Sequence, residues 1–312
     1  MKEEPKKAKF VAGAHSLSTM FTIKDATALE AAMRTTVRHG GSLFEIVFLL
    51  CQLPWDDISR LALETGIEEI SLCHFWPKNA DGTAPHGDPL GTIADERKAL
   101  NTIKEILAAV EIIRSHGVTV RFIDGPLWGG LGWQYEENPE VLEKRVVRFL
   151  QLAHNVCAAH NVILAVEFLR PEEGRVVRGT KHMLKILKAV NAHCEDDDSS
   201  VMMHFDVFHS LAWNENPSAS IEKARHAIAY LHIHGNNRIA PGGKGDCQDW
   251  RRIVEAMKLI SFPGAIPVVS EPFGEETRRE NPALGQGLPP TPELDRYLGQ
   301  AWRTLRFAGL SI

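Results

Sequence analysis

Eight short apolar, β-rich runs recur along this chain, each separated from the next by a stretch with helical character, and few folds accept that alternation. The runs are Phe10–Ala14, Leu43–Leu49, Ile67–Phe75, Val118–Ile123, Val162–Phe168, Val201–Phe205, Tyr230–Ile233 and Ile266–Ser270. Most are continuously apolar, as parallel strands covered on both faces require. Between the third and fourth, Leu100, Ile103, Ile106, Leu107, Val110 and Ile113 repeat at helical spacing. Thr92 with Asp95 resembles a capping box at that helix's start, and Gly117 a stop at its end. Asn138-Pro139 opens the next helix, with Leu142, Val146, Phe149, Ala153 and Val156 facing inward. Thr291-Pro292 opens the last, which presents Leu294, Leu298, Trp302 and Leu305.

Eight such units in 312 residues predict an α/β chain folded as a single-domain (β/α)8 TIM barrel. An open doubly wound sheet would carry a glycine-rich nucleotide turn after its first strand; here that turn reads AGAHSLST. Residues 1–9 are expected to be a solvated tail, and residues 10–312 the barrel. Trp76–Gly91 and Phe273–Pro290 read as insertions on the strand C-terminal side, where barrel active sites are built.

The overall composition narrows the function classes. With 44% hydrophobic and 24% charged residues the chain reads as globular, and a net charge of −5 supplies no basic footprint for nucleic acid. Apolar runs such as Phe44–Leu50 fall far short of the ~18 residues a membrane span needs. The opening MKEEPKKAKF has charge but no apolar h-region, so no secretory signal is expected. Five scattered cysteines without a CxxC argue against a zinc ribbon or a disulfide framework. The expectation is a soluble cytoplasmic protein.

The chemistry sits at the ends of the last four strands. Strand five closes on Glu167, strand six on Asp206 with His209 three residues on, strand seven on His232 and His234 with Arg238 beyond, and strand eight on Glu271. A carboxylate closing an apolar strand is costly to bury alone. Three of them with a histidine, at one end of successive strands, point to a shared divalent ion. An oxygen-rich donor set suits Mn²⁺, Mg²⁺ or Co²⁺ better than structural zinc, and leaves about two coordination positions open. Two oxygens of a hydroxy-ketone fit there, with the ion polarising the carbonyl and stabilising an enediolate.

In these motifs the chain resembles the xylose-isomerase-like TIM-barrel sugar isomerases and epimerases, and most of all the ketose 3-epimerases acting on D-tagatose, D-fructose, D-allulose or L-ribulose. The resemblance spans the barrel and is specific from about residue 162 onward. It implies one divalent ion, Mn²⁺ first, held by Glu167, by Asp206 of Asp206-Val207-Phe208-His209, by His232 of HIHGNNR, and by Glu271 of Glu271-Pro272-Phe273. The six-residue spacing to Arg238 selects His232 over His234. Glu173, His209 and Arg238 are the implied substrate contacts, and Glu167 and Glu271 the implied acid/base pair. Strands five and eight lie roughly 135° apart around an eight-strand ring, so the two glutamates are able to flank a substrate. Relatives of this kind form homodimers or homotetramers. Phe168-Leu169-Arg170, Gly235 and Ser210-Leu211-Ala212-Trp213 depart from the family pattern around these motifs.

Plainer readings hold elsewhere. His234 reads as a supporting histidine, His15 and His74 as rim histidines, and Glu45 as an interior polar residue without chemistry. Trp76, Trp128 and Trp133 read as loop packing, and Glu195–Asp198 as a solvated loop. Rival functions are an aldose–ketose isomerase (sugar or hydroxypyruvate type), an abasic-site endonuclease, and a sugar-binding barrel without turnover. The endonuclease needs an Asp-x-His after strand seven, where Asp246-Cys247-Gln248 stands.

Overall fold

The computed structural model describes residues 8–18, 22–74, 96–128, 138–174, 176–192, 201–273 and 293–312. The strands are β1 (Lys9–His15), β2 (Leu43–Val47), β3 (Glu69–Cys73), β4 (Phe122–Gly125), β5 (Ile163–Glu167), β6 (Met202–Asp206), β7 (Ile228–His232) and β8 (Ala265–Ser270). They close in sequence order into one parallel barrel, with β8 paired back to β1 from Lys9↔Ala265 to Ala14↔Ser270. The helices are α1 (Ala26–Arg38), α2 (Trp55–Thr65), α3 (Glu96–Ser115), α4 (Pro139–Ala158), α5 (Gly179–Asn191), α6 (Val207–Ala212), α7 (Pro217–Ala224), α8 (Trp250–Met257) and α9 (Leu294–Phe307). None among the described residues is long and apolar enough to cross a membrane.

This is the predicted (β/α)8 barrel, and its edges differ from the sequence expectation in instructive places. β4 starts four residues later than predicted, because Arg114 Nε donates to the Val120 carbonyl at 3.1 Å and withdraws it from the strand ladder. β2 ends at Val47, where the chain tightens into a 3₁₀ turn over Phe48–Leu50. β1 already begins at Lys9. Most of both insertions, the Thr92–Asp95 box, Thr291-Pro292, Trp76, Trp133 and Glu195–Asp198 lie outside the described residues.

The two largest apolar bodies among the described residues hold the fold together. The larger fills the space between barrel and helices; Ile103, Ile106, Val110 and Ile113 from α3, Phe149 from α4 and Trp302 from α9 are buried in it. Each such side chain contributes about 1.5–3 kcal/mol on leaving water. The smaller is a plug inside the barrel, built from Leu43, Phe122, Ala165, Ala229, Tyr230 and Val269. Beneath it Arg121 clamps both Glu69 oxygens at 2.9 and 2.7 Å. The lumen is therefore sealed at the N-terminal end, and only its C-terminal half is left for polar groups. Gly13 makes the β1–β2 contact possible, since a Cβ there would stand 2.6 Å from the Leu43 side chain and 2.8 Å from its carbonyl.

Phe149→Ala is expected to cost about 3–5 kcal/mol by leaving a cavity between α4 and the barrel. Asp25 caps α1 by accepting from the Thr27 and Ala28 amides at 2.8 and 3.3 Å, so Asp25→Ala is expected to cost only about 1 kcal/mol. Guanidinium unfolding of both variants checks the ranking; equal losses would contradict the packing described.

Candidate metal centre and active site

The strand ends deliver ionisable side chains into the open half of the lumen. Alternation along a strand puts every second residue on one face. On β6 that face carries His204 and Asp206, and on β7 it carries Tyr230 and His232, with His234 two residues further. All five are buried. Asp206 divides its two oxygens. Oδ1 caps α6 by accepting from the Phe208 and His209 amides at 2.6 and 3.4 Å, which leaves Oδ2 to face His234 Nε2 at 3.2 Å. The end of β5 is braced by Trp128, whose indole N–H donates to the Glu167 carbonyl. That one loop tryptophan, fully buried, does pack against the barrel as read from sequence.

Arg238 is the central cation. It lies in the left-handed region (φ 55°), a strained conformation for a non-glycine residue. Its guanidinium is 3% exposed, sits 4.1 Å from the Phe273 ring centroid and 4.9 Å from that of Phe208, and donates through Nη1 to Glu271 Oε2. Glu173, 6% exposed, pairs with Arg170 at 2.9 Å. His209 stands between these groups, 3.3 Å from Arg238 Nη2 and 3.7 Å from Glu173.

Burial and neighbouring charge push the two glutamates apart. Burial raises the Glu167 carboxyl well above the ordinary range, and the charges of Asp206 and Glu271 add to it against an opposing pull from His232. Burial also opposes ionisation of Glu271, but Arg238, His15 and His232 outweigh it and hold that carboxyl well below its usual value. Two carboxyls with opposed shifts in one cavity are suited to opposite proton-transfer roles.

Among the described residues four groups of donor atoms are close enough to share an ion: the overlapping Asp206–His232–His234–Glu271, Glu167–His204–His232 and Glu167–Asp206–His209, and the separate His15–Glu45–Cys73. Hydrogen bonds sort them. The Arg170 amide donates to His209 Nδ1 and the Leu17 amide to His15 Nδ1, each at 3.0 Å, so both rings carry their proton on Nε2. Neither ring has a lone pair on the nitrogen it turns toward the carboxylates. His232 is arranged the other way. Its Nε2 is 2.8 Å from Glu45 Oε2, while Nδ1 has no hydrogen-bond partner among the described residues and stands 3.7 Å from Glu167 Oε1 and 3.5 Å from Glu271 Oε2. Among the described residues Glu167 Oε1 is likewise buried without a hydrogen-bond partner. Adjacent ligands of an octahedral ion, each at ~2.1 Å, stand about 3 Å apart. A divalent cation therefore fits this donor set and relieves both orphaned atoms.

Asp206, His232 and Glu271, predicted from sequence as ligands, share one donor group, and Glu167 joins it through His232. The predicted contacts Glu173, His209 and Arg238 form the adjoining wall. His234 enters the same group, although sequence reasoning read it as supporting. Three residues escaped that reasoning. His204 packs edge-on against His232 with centroids 4.0 Å apart; its position two before Asp206 was the available signal. Asp124, bonded to Ser71, lies one residue past the predicted end of β4. Glu45 meets both His232 and His15, and nothing local in LFEIV announces those partners.

A family model described as xylose isomerase-like TIM barrel matches residues 34–289. A D-psicose 3-epimerase of Enterocloster bolteae is 25% identical over 179 residues, 57% of this chain and 54% of that protein, so the match spans about half the length of that relative. Among solved structures, an L-ribulose 3-epimerase superposes with a TM-score of 0.75 at 19% identity, covering 96% of this chain and 95% of that one. A D-allulose 3-epimerase from Methylomonas sp., in complex with D-allulose, gives 0.76 at 18% identity, covering 96% and 98%. At these identities the structural likeness speaks for the fold alone.

Saturating Mn²⁺, at about a hundred times Kd, is expected to stabilise the protein by ~2.7 kcal/mol. Asparagine caps helices as well as aspartate does, so Asp206→Asn is expected to keep the ion-free unfolding midpoint and lose the Mn²⁺ increment. Thermal unfolding with and without chelator checks both; an undiminished increment in the variant would remove Asp206 from the ligand set.

Proposed function

This chain belongs to the xylose isomerase-like TIM barrel family, and on that premise we propose that it is a metal-dependent ketose 3-epimerase. The substrate is a free ketose of the D-tagatose, D-fructose, D-allulose or L-ribulose class. The ligands of the ion are Glu167, Asp206, His232 and Glu271, and the ion is Mn²⁺, with Mg²⁺ or Co²⁺ as substitutes. The same reading makes the protein a cytoplasmic homodimer or homotetramer that acts on small sugars. The observation that carries it is the convergence of Glu167 Oε1 and Glu271 Oε2 on one imidazole nitrogen, at 3.7 and 3.5 Å.

Epimerisation at C3 needs a proton removed from one face of the carbon and returned to the other. When bound, the ion supplies Lewis acidity that polarises the neighbouring carbonyl. Glu271, kept ionised by Arg238, takes the C3 proton on one face. Glu167, on the opposite side of the substrate, returns a proton to C3 from the other. The electron pair left by the broken C3–H bond moves into the C2–C3 bond and the C2 oxygen, giving an enediolate, and then returns to form the new C3–H bond. In the reverse direction the two glutamates exchange roles. The His209 Nε2–H and the Arg238 guanidinium supply hydrogen bonds to the developing oxygen charge, and Glu173 orients a hydroxyl further along the chain. Phe208 and Phe273 flank the Arg238 guanidinium and restrict water around its charge.

The chelator-stripped chain, reloaded with Mn²⁺ and given D-fructose, D-tagatose, D-allulose and L-ribulose, is expected to yield C3 epimers on product separation. Aldose without a C3 epimer would replace this reading with an aldose–ketose isomerase. Glu271→Gln is expected to retain the fold by circular dichroism and to lower turnover at least 10²-fold, the scale of a lost acid/base group. Retained turnover would remove Glu271 from its role.

A further inference from the structure

Glu45 lies on β2, on the opposite side of the ring from the ligand strands, and it is completely buried. A carboxylate in that position needs partners, and it has two hydrogen bonds on Oε2 and an imidazole beside Oε1. Tyr230 Oη–H donates to Oε2 at 2.7 Å, His232 Nε2 approaches the same oxygen at 2.8 Å, and the protonated Nε2 of His15 stands 3.1 Å from Oε1. None of these contacts belongs to the proton transfers described above. They act on the orientation of one ring. His232 is gripped through Nε2, and its plane is set edge-on between His204 and His15, at 89° to each. With Nε2 committed to Glu45, the nitrogen that meets Glu167 and Glu271 is Nδ1, which has no hydrogen-bond partner among the described residues.

We propose that Glu45 is the positioning residue of the metal centre: it holds His232 in the Nε2–H tautomer and turns the Nδ1 lone pair toward the ion. The inference rests on the reading of His232 as a ligand and extends it to a residue outside the ligand set. A carboxylate that accepts the distal N–H of a ligating histidine fixes the tautomer and makes the ring a better donor. Tyr230 holds the carboxylate itself, so the constraint runs from β2 through Glu45 to the end of β7.

Mn²⁺ titration of the chelator-stripped full chain, followed by the paramagnetic resonance of free Mn²⁺, tests this with Glu45→Gln, His232→Gln and the double variant. The wild type is expected to bind one ion, and Glu45→Gln to bind it about 10–100-fold more weakly. Because Glu45 acts through His232, the double variant is expected to fall within about twofold of His232→Gln alone. Unchanged affinity in Glu45→Gln overturns the proposal. So does an additive loss in the double variant, which would mean that Glu45 acts as a charge rather than through the ring. A fall from two ions to one in Glu45→Gln also overturns it, by making Glu45 a ligand of a second ion beside His15 and Cys73. His232→Gln binding as tightly as wild type would instead remove His232 from the ligand set, and the present proposal with it. A measurement on the unaltered chain guards against a variant that fails to fold. In ¹⁵N-histidine-labelled wild type loaded with Mg²⁺, His232 is expected to be protonated at Nε2 and bare at Nδ1; the opposite tautomer overturns the proposal.

Discussion

The rest of this structure depends on the cost of placing ionised groups where water is excluded. Glu45, Asp124, Glu167, Asp206 and Glu271 all lie in the upper half of the lumen, each at most 7% exposed. An isolated carboxylate in such a place would give up its charge. Glu45, Asp206 and Glu271 are held ionised by an interlocking set of imidazoles and one guanidinium, while burial pushes the Asp124 and Glu167 carboxyls beside them upward. Arg238 meets Glu271 and comes within 3.9 Å of Asp206; His232 spans Glu45, Glu167 and Glu271.

The barrel supplies what such a network needs, namely rigidity and a floor. The plug around Leu43, Phe122 and Tyr230 closes the lumen below the charges, and Tyr230 serves both layers, with its ring in the plug and its hydroxyl on Glu45. The strain at Arg238 belongs to the same design. A left-handed arginine is unfavourable by itself, and it persists where surrounding contacts over-determine it. Here Tyr297 holds the backbone carbonyls of Arg238 and Ile239 at 3.4 and 3.0 Å, two aromatic rings flank the guanidinium, and Glu271 accepts from it.

Much of this was legible in the chain. Continuous apolar runs alternating with 3.6-residue periodicity led directly to a closed parallel barrel, because buried parallel strands and their covering helices leave that pattern and little else does. Glu167, Asp206, His232 and Glu271 stood out for the same reason, as polar residues closing apolar strands. The reading failed where the evidence was not local. Asp124 lay one residue past the expected end of β4, which runs on to Gly125. His204, inside an apolar run, looked like a strand residue and nothing more.

The amino-acid sequence by itself therefore determined the architecture and the chemical inventory of the site, since hydrophobic periodicity and strand-end position are properties of neighbouring residues. Only the tertiary structure decided which nitrogen of each histidine is committed and to whom. Glu45 and His232 are 187 residues apart, and the hydrogen bond between them exists because the sheet closes on itself and brings β2 across from β7. A tautomer is chosen by the partner on the far side of the ring, and no pattern within either strand contains that partner.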